Sequence, residues 1–406
     1  MQQRIEKCNL IDSDRLVSLS LALFASGSRI EDRYWEAKLD ELLTKIIRSG
    51  NQISIDSALD YLQKNYPDVH STLADMAESN SESFIIDFNG KPYHALLIAI
   101  PILVWTRYII PSGLIKDDIV NALRTQLNTH ILAKNVLIGL SSFLYSIDQL
   151  PKNYVETYRL AQQLAYIAIG QDTQKLSFNK SIEKSLTLAD SRFLLSVIAA
   201  PNGAPLFHWQ EGDCSAGIER NQCLEKWTAQ CSSNIALAMP GCEFECLLPD
   251  AYYSACYDVN EHIRPHIIRT AIRYLFNTIN SAPKELRVII AGFGKQQIDE
   301  YRISFTRRWS SNVIYGVVWP LYGYENSNGL LDNNKIIEND LLVDEPLEQI
   351  VRLLKKSGII DIYKHLGRFD LEYCDDCNAP LYANPFGEIV HAKMPGDALS
   401  SQPRFH

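Results

Sequence analysis

Apolar residues recur along this 406-residue chain in two rhythms, one of helical period and one of strand-like runs. Helical spacing fills residues 12 to about 79. The segment beginning DSDRLVSLSLALFAS has Asp12 or Ser13 as a start signal and Gly27 near its end. Trp35, Leu39, Leu42 and Ile46 then form one apolar stripe closed by Gly50, and Ser54 stands as the N-cap of a helix ending before Pro67.

Strand signals begin at FIIDF and ALLIAIPILVW, which flank Asn89-Gly90, the dipeptide favoured in two-residue hairpin turns. A helix follows, with Ile119, Leu123, Leu127 and Ile131 on one face, then the strand VLIGLSSFLYSI and the helix NYVETYRLAQQLAYIAIG. The same order recurs in RFLLSVIAAPNGAPLFHWQ, a helix from about Ile218, the strand CEFECLLP, and a helix expected to start near Pro265. Trp105 and Trp209 fall at similar points of the two stretches, which suggests an internal duplication of about 100 residues with pairing local to each copy. LRVIIAGFG, YRISFTRR and NVIYGVVWPLYGY read as three more strands extending the sheet. An Asn-rich loop leads to a helix bracketed by Asp344, Pro346 and Gly358.

The expected fold is therefore mixed α/β. It comprises a helical N-terminal region (1–80), two related strand-helix-strand-helix units (81–185 and 186–330), and a C-terminal helix with a zinc-ribbon-like Cys/His knuckle (331–406).

Composition narrows the function without naming it. With 46% hydrophobic and 21% charged residues, the chain has the makeup of a folded globular protein. A net charge of -9 argues against a general nucleic-acid or anionic-membrane binder. The run from Ala95 to Trp105 is far shorter than the roughly 20 residues of a membrane helix. The charged N-terminus lacks the apolar core of an export signal. Nine irregularly spaced cysteines fit a reducing cytoplasm better than a disulfide framework.

The sharpest chemical signal is C-terminal. Cys374 and Cys377 have the spacing at which one tight turn presents two thiolates to a tetrahedral metal, with zinc the expected ion. His391, on the strand-like GEIVHAKM, and His406 are the further ligands, with His365 in reserve. Packed thiols and a redox pair are the competing readings, although a redox pair normally opens a helix. Cys223 and Cys231 share a helical stripe with Trp227 and Ile235, and Cys242 and Cys246 share a strand face, so packing is expected there instead of a second metal. His262 and His266 have ligand spacing, but Pro265 is expected to place a helix start between them. Gly292 and Gly294 lack the rest of a phosphate loop and read as a turn. Arg302, Ser304, Thr306 and Arg308 alternate onto one strand face, read as solvated, with an anion site as the sharper alternative. Glu243 and Glu245 share a strand face as surface charges.

The phrases ASGSRIEDRYWEAKL, YSIDQLP, PGCEFECLLPDAYY, IAGFGKQQIDEYRISFTRR, VIYGVVWPLYG and CDDCNAPLYANPFGEIVHAKMP resemble a bacterial family, the domain of unknown function numbered 2863, over nearly the whole chain. The resemblance implies a cytoplasmic protein of betaproteobacterial type and carries no activity. Two functional readings stand. One is a zinc-stabilised binding or regulatory protein with a protein or small-molecule partner. The alternative is an enzyme of unrecognised class, with a cleft at strand ends near Pro249-Asp250 and Gly292 to Gly294. A nucleic-acid contact through Arg302, Arg307 and Arg308 is the weakest.

Overall fold

The computed structural model describes residues 2–171, 188–211, 220–295, 297–321 and 345–394. The segments 172–187 and 322–344, the second of which holds the Asn-rich loop, lie outside them, as do the expected helix start at Ile218, Asp344 and His406. No described helix is long and apolar enough to cross a membrane.

Four helices come first: α1 (Gln2–Phe24), α2 (Arg29–Ser49), α3 (Gln52–Asn65) and α4 (Pro67–Glu82). The Ser28 hydroxyl accepts from the Glu31 N–H to start α2, and Gly50 ends it in the left-handed region at φ 77°. Leu16, Leu39, Leu43, Ile46, Ile55, Leu62 and Leu73 close the core of this bundle. Helix α1 begins at Gln2, so Asp12 and Ser13 sit inside it and cap nothing. Helix α3 begins ahead of Ser54, whose hydroxyl accepts from the Asn51 side chain at 2.7 Å.

The next elements are β1 (Ser83–Phe88), β2 (Lys91–Trp105), β3 (Gly113–Leu114), α5 (Asp117–His130), β4 (Leu137–Ser146), α6 (Tyr154–Ala168), β5 (Ala189–Pro201), α7 (Arg220–Ala238), β6 (Glu243–Cys246), β7 (Asp250–Ala251) and α8 (Tyr252–Ile279). Asn89 and Gly90, at φ 54° and 73°, make the tight hairpin joining β1 to β2. The strands form one antiparallel sheet in the order β1-β2-β5-β4-β3, with β6 and β7 also on β2. Pro101, which has no N–H to give a ladder, falls between the stretches of β2 paired with β7 and β6.

Strand β2 alternates between two cores. Ile98, Ile100, Ile102 and Val104 pack with α5 and α7, while Ala95, Leu97, Ala99 and Leu103 pack with α6 and the first half of α8. Gly139 lets α6 lie directly on β4, since a Cβ there would sit 2.1 Å from the Leu164 carbonyl oxygen. Pairing is not local to two copies: β5 inserts between β2 and β4, and β6 returns to β2. Trp105 ends a strand and Trp209 lies in a single 3-10 turn, so the two tryptophans do not mark equivalent points.

Three predicted strands, β8 (Leu286–Phe293), β9 (Glu300–Arg307) and β10 (Val313–Pro320), start a second sheet and do not extend the first. Helix α9 (Pro346–Lys356) leads into β11 (Asp361–Phe369), which lies parallel to β8 in the order β10-β9-β8-β11. Helix α8 joins the two sheets because it runs unbroken through Pro265, whose missing N–H and ring ordinarily cost a helix about 3 kcal/mol. Each half is held by a different core. Tyr252, Ala255 and Val259 pack on the first sheet, and Ile268, Ala271, Ile272 and Leu275 pack on the second with α9. At its start, the Tyr253 N–H donates to the Glu82 carboxylate at 3.1 Å and the Tyr257 hydroxyl donates to Glu78, docking the bundle on the α/β body.

Candidate metal centre

Beyond β11 the chain makes two small hairpins. The first is the Cys374–Asn378 turn. The Asn378 N–H donates to the Cys374 carbonyl and the Cys374 N–H to the Ala379 carbonyl, both at 2.8 Å, with Asn378 in the left-handed region at φ 54°. The second joins β12 (Tyr382–Ala383) to β13 (Ile389–Val390). Its turn is built on Asn384, whose Oδ1 accepts from the Phe386 and Glu388 N–H groups at 2.9 and 3.0 Å. The strand returning from it carries His391 to the first hairpin.

There Cys374, Cys377 and His391 present ligand atoms that all lie within 4.8 Å of one another. Cys377 Sγ is 3.2 Å from His391 Nε2. Two corners of a zinc tetrahedron with Zn–S near 2.3 Å and Zn–N near 2.0–2.1 Å lie roughly 3.6–3.8 Å apart, so the spread suits one ion after small adjustments. His391 Nδ1 lies 2.8 Å from the Ala392 carbonyl. As donor in that bond, Nδ1 carries the proton and leaves the Nε2 lone pair facing the thiols, as a metal-ligating imidazole requires. Backbone N–H groups of Asp376 and Cys377, with the Cys377 side chain, hold the Cys374 thiol below its ordinary pKa, towards the thiolate that a metal takes.

The hairpins are docked on the second sheet through a residue expected on a solvated face. Arg302 is buried: its Nε donates to Glu300 and its Nη1 to the carbonyls of Glu372 and Leu381, each at 2.6 Å. Those carbonyls belong to the two strands of the cysteine hairpin, so one guanidinium grips both sides of its stem. Phe293 and Tyr373 cover the guanidinium, with ring centres 4.3 and 5.0 Å from Arg302 Cζ. Ser304 Oγ donates to the Ala383 carbonyl at 2.6 Å, and Thr306 is also buried. Gly316 completes the seat, since a Cβ there would lie 2.3 Å from the Tyr382 ring. At Arg302, Ser304 and Thr306 this face is covered, neither solvated nor open to an anion, while Arg308, just past the end of β9, is part-exposed.

A model of one protein family matches residues 2–405. The chain belongs to the family described as Protein of unknown function (DUF2863). No curated protein and no solved structure matches it. The chemistry of this DUF2863 chain is therefore argued from its own residues.

The remaining candidates have other partners. His365 Nε2 lies 2.9 Å from the Asn384 carbonyl and its ring meets Tyr363 and Phe369 edge-on, so it braces the β12–β13 turn and is not brought into the metal group. Cys223 and Cys231 are buried on α7 with Trp227 and Ile235, and Cys231 Sγ meets Cys246 Sγ at 3.9 Å. His262 and His266 lie on one continuous helix with separate partners. His262 is 3.2 Å from the Asp258 carboxylate, while His266 stacks on Trp105 and lies 3.3 Å from Glu245. Glu243, exposed like Glu245, accepts from the Trp105 indole at 2.7 Å. Asp250 belongs to the first sheet and Gly292 to the second, with Gly294 just past the end of β8. The space beside Gly292 is filled by Ile298 and that beside Gly294 by the 297–299 backbone and the Asp299 carboxylate. Sequence reasoning missed the Arg302 clamp, whose only signal was an arginine at an inward position of an apolar strand.

Proposed function

We propose that Cys374, Cys377 and His391 hold one structural zinc ion and that the DUF2863 chain is a zinc-stabilised binding or regulatory protein. Two thiolates and an imidazole are a donor set that suits zinc. His406 is assigned the fourth corner, with water as its replacement. The observation that carries the reading is the 3.2 Å approach of Cys377 Sγ to His391 Nε2 between two hairpins that have little core of their own. Apart from the ion, the segment is held by Arg302, Ser304 and a cluster of Ala291, Phe293 and Ala383. Structural zinc supplies roughly 10 kcal/mol or more of apparent binding energy in small peptides, ample to order such a segment. The free thiols at Cys223, Cys231, Cys242, Cys246 and Cys256 support a reducing, cytoplasmic setting, and the partner is a protein or small molecule.

Hydrogen exchange read by mass spectrometry, with and without a strong chelator, tests this role. Faster exchange confined to residues 371–394 supports a staple; global unfolding or no change contradicts it. Affinity capture from cells tests the binding role, which fails if no specific partner or ligand recurs.

A further inference from the structure

Helix α8 carries a second set of metal donors where it passes from the first sheet to the second. His262 and His266 stand one turn apart on either side of Pro265, in a helix that runs unbroken through all three. Residues four apart on a helix share a face, with Cβ atoms roughly 5–6 Å apart, the spacing at which two imidazoles chelate one ion. The Glu245 carboxylate reaches this face from β6, with Oε2 3.3 Å from His266 Nε2. A charge-assisted hydrogen bond is shorter, about 2.7–2.9 Å. Two corners of a zinc tetrahedron with Zn–N near 2.0–2.1 Å and Zn–O near 2.0–2.2 Å lie roughly 3.3–3.5 Å apart, so nitrogen and oxygen already have the spacing of two ligands. Trp105 stacks on the His266 ring with centroids 4.4 Å apart and fixes its plane.

The third donor is the movable one. His262 is half-exposed and leans back on Asp258, its Nδ1 2.8 Å from the Asp258 carbonyl and 3.2 Å from the carboxylate. An ion pair this exposed contributes little, so the ring can turn towards His266 at small cost. The surroundings favour a cation. Asp258 and Glu261 lie beside His262, Glu245 and Arg269 lie beside His266, and Glu243 takes both the Trp105 indole and Arg273. Four carboxylates thus meet two guanidiniums. An ion here would also act where the helix lacks a hydrogen bond. Pro265 has no N–H to give the Glu261 carbonyl, and the two imidazoles straddle that gap.

We infer that His262, His266 and Glu245 form a second metal site, for a divalent ion of the zinc, cobalt or nickel type, which ties α8 across Pro265 and onto the first sheet. Two imidazoles and a carboxylate suit such ions, with water completing the coordination. The inference is independent of the cysteine centre. It is tested by isothermal titration of the untagged full chain, incubated with zinc and freed of the excess, with nickel chloride. About one nickel per chain should bind saturably, and Cys374→Ser should leave that event in place. His262→Gln, at a half-exposed position, and His266→Gln should each weaken nickel binding by about tenfold or more with an unchanged circular dichroism spectrum. The inference is overturned if the native chain shows no saturable nickel binding or if either histidine variant binds nickel as the native chain does. Loss of the event in Cys374→Ser would assign the nickel to the cysteine centre and also overturn it.

Discussion

Cys377 Sγ and His391 Nε2 lie 3.2 Å apart although 14 positions separate them in sequence. Two turns bring them together, one closed by Asn378 and one by Asn384, and each turn is satisfied by its own backbone and side-chain hydrogen bonds. The Cys/His group is thus formed by local chemistry and held on the sheet beneath it by Arg302.

Arg302 should be the residue on which hairpin docking most depends. Arg302→Met would leave the Glu300 carboxylate and the carbonyls of Glu372 and Leu381 without their donor, and breaking a buried charge pair from one side costs about 3–5 kcal/mol. Arg302→Lys should not restore it, because one ammonium cannot reproduce the fixed fork that meets all three acceptors. Urea unfolding followed at the second sheet would check this, with both variants expected to unfold at lower urea than the native chain.

The bundle contact should respond to pH through Glu82. Burial, reinforced by Glu78 and Asp250 and opposed by the Tyr253 N–H, raises its pKa from 4.5 to about 7. A carboxyl that holds its proton more tightly when folded contributes stability that is full below pH 4.5 and is lost as pH rises through about 7. Glu82→Gln keeps an acceptor for Tyr253 and removes the titration. The native chain should therefore lose stability relative to this variant between about pH 5 and pH 8. Parallel urea midpoints for the two chains across that range would refute the assignment.

Thiol reactivity should divide the cysteines into two classes. Cys223 and Cys231 are buried in α7, and burial pushes the Cys223 thiol up, so both should label only on unfolding. Cys377 is exposed, and the Cys374 thiol is held below its ordinary value, so these two should label quickly once a chelator is added. Mass-resolved labelling of the native protein would check the order, and rapid modification of Cys231 would contradict it.

Much of this fold is legible in the sequence because its signals are local. Asn89-Gly90 set a hairpin, Pro346 and Gly358 bracket α9, and Cys374 and Cys377 announce their turn by spacing alone. What escaped depends on distant partners. Strand β11 is an edge strand with Leu366 fully exposed, so it shows neither clean alternation nor an apolar run. Pro265 reads as a helix start unless it is known that each half of α8 has its own core. The Arg302 face reads as solvated because the hairpins covering it lie about 70 and 79 positions away. The single first sheet was hidden for the same reason, since β5 must pair with strands on both sides of it that lie far back in the chain.

The most direct measurement is the zinc content of protein purified without chelators, by inductively coupled plasma mass spectrometry, for the native chain, Cys374→Ser and His391→Ala. About one zinc per native chain is expected, with affinity reduced roughly a hundredfold or more in each variant, since loss of an outer-shell partner alone costs about 10–100-fold. A native chain without zinc, or variants that keep the full amount at native affinity, would contradict the account.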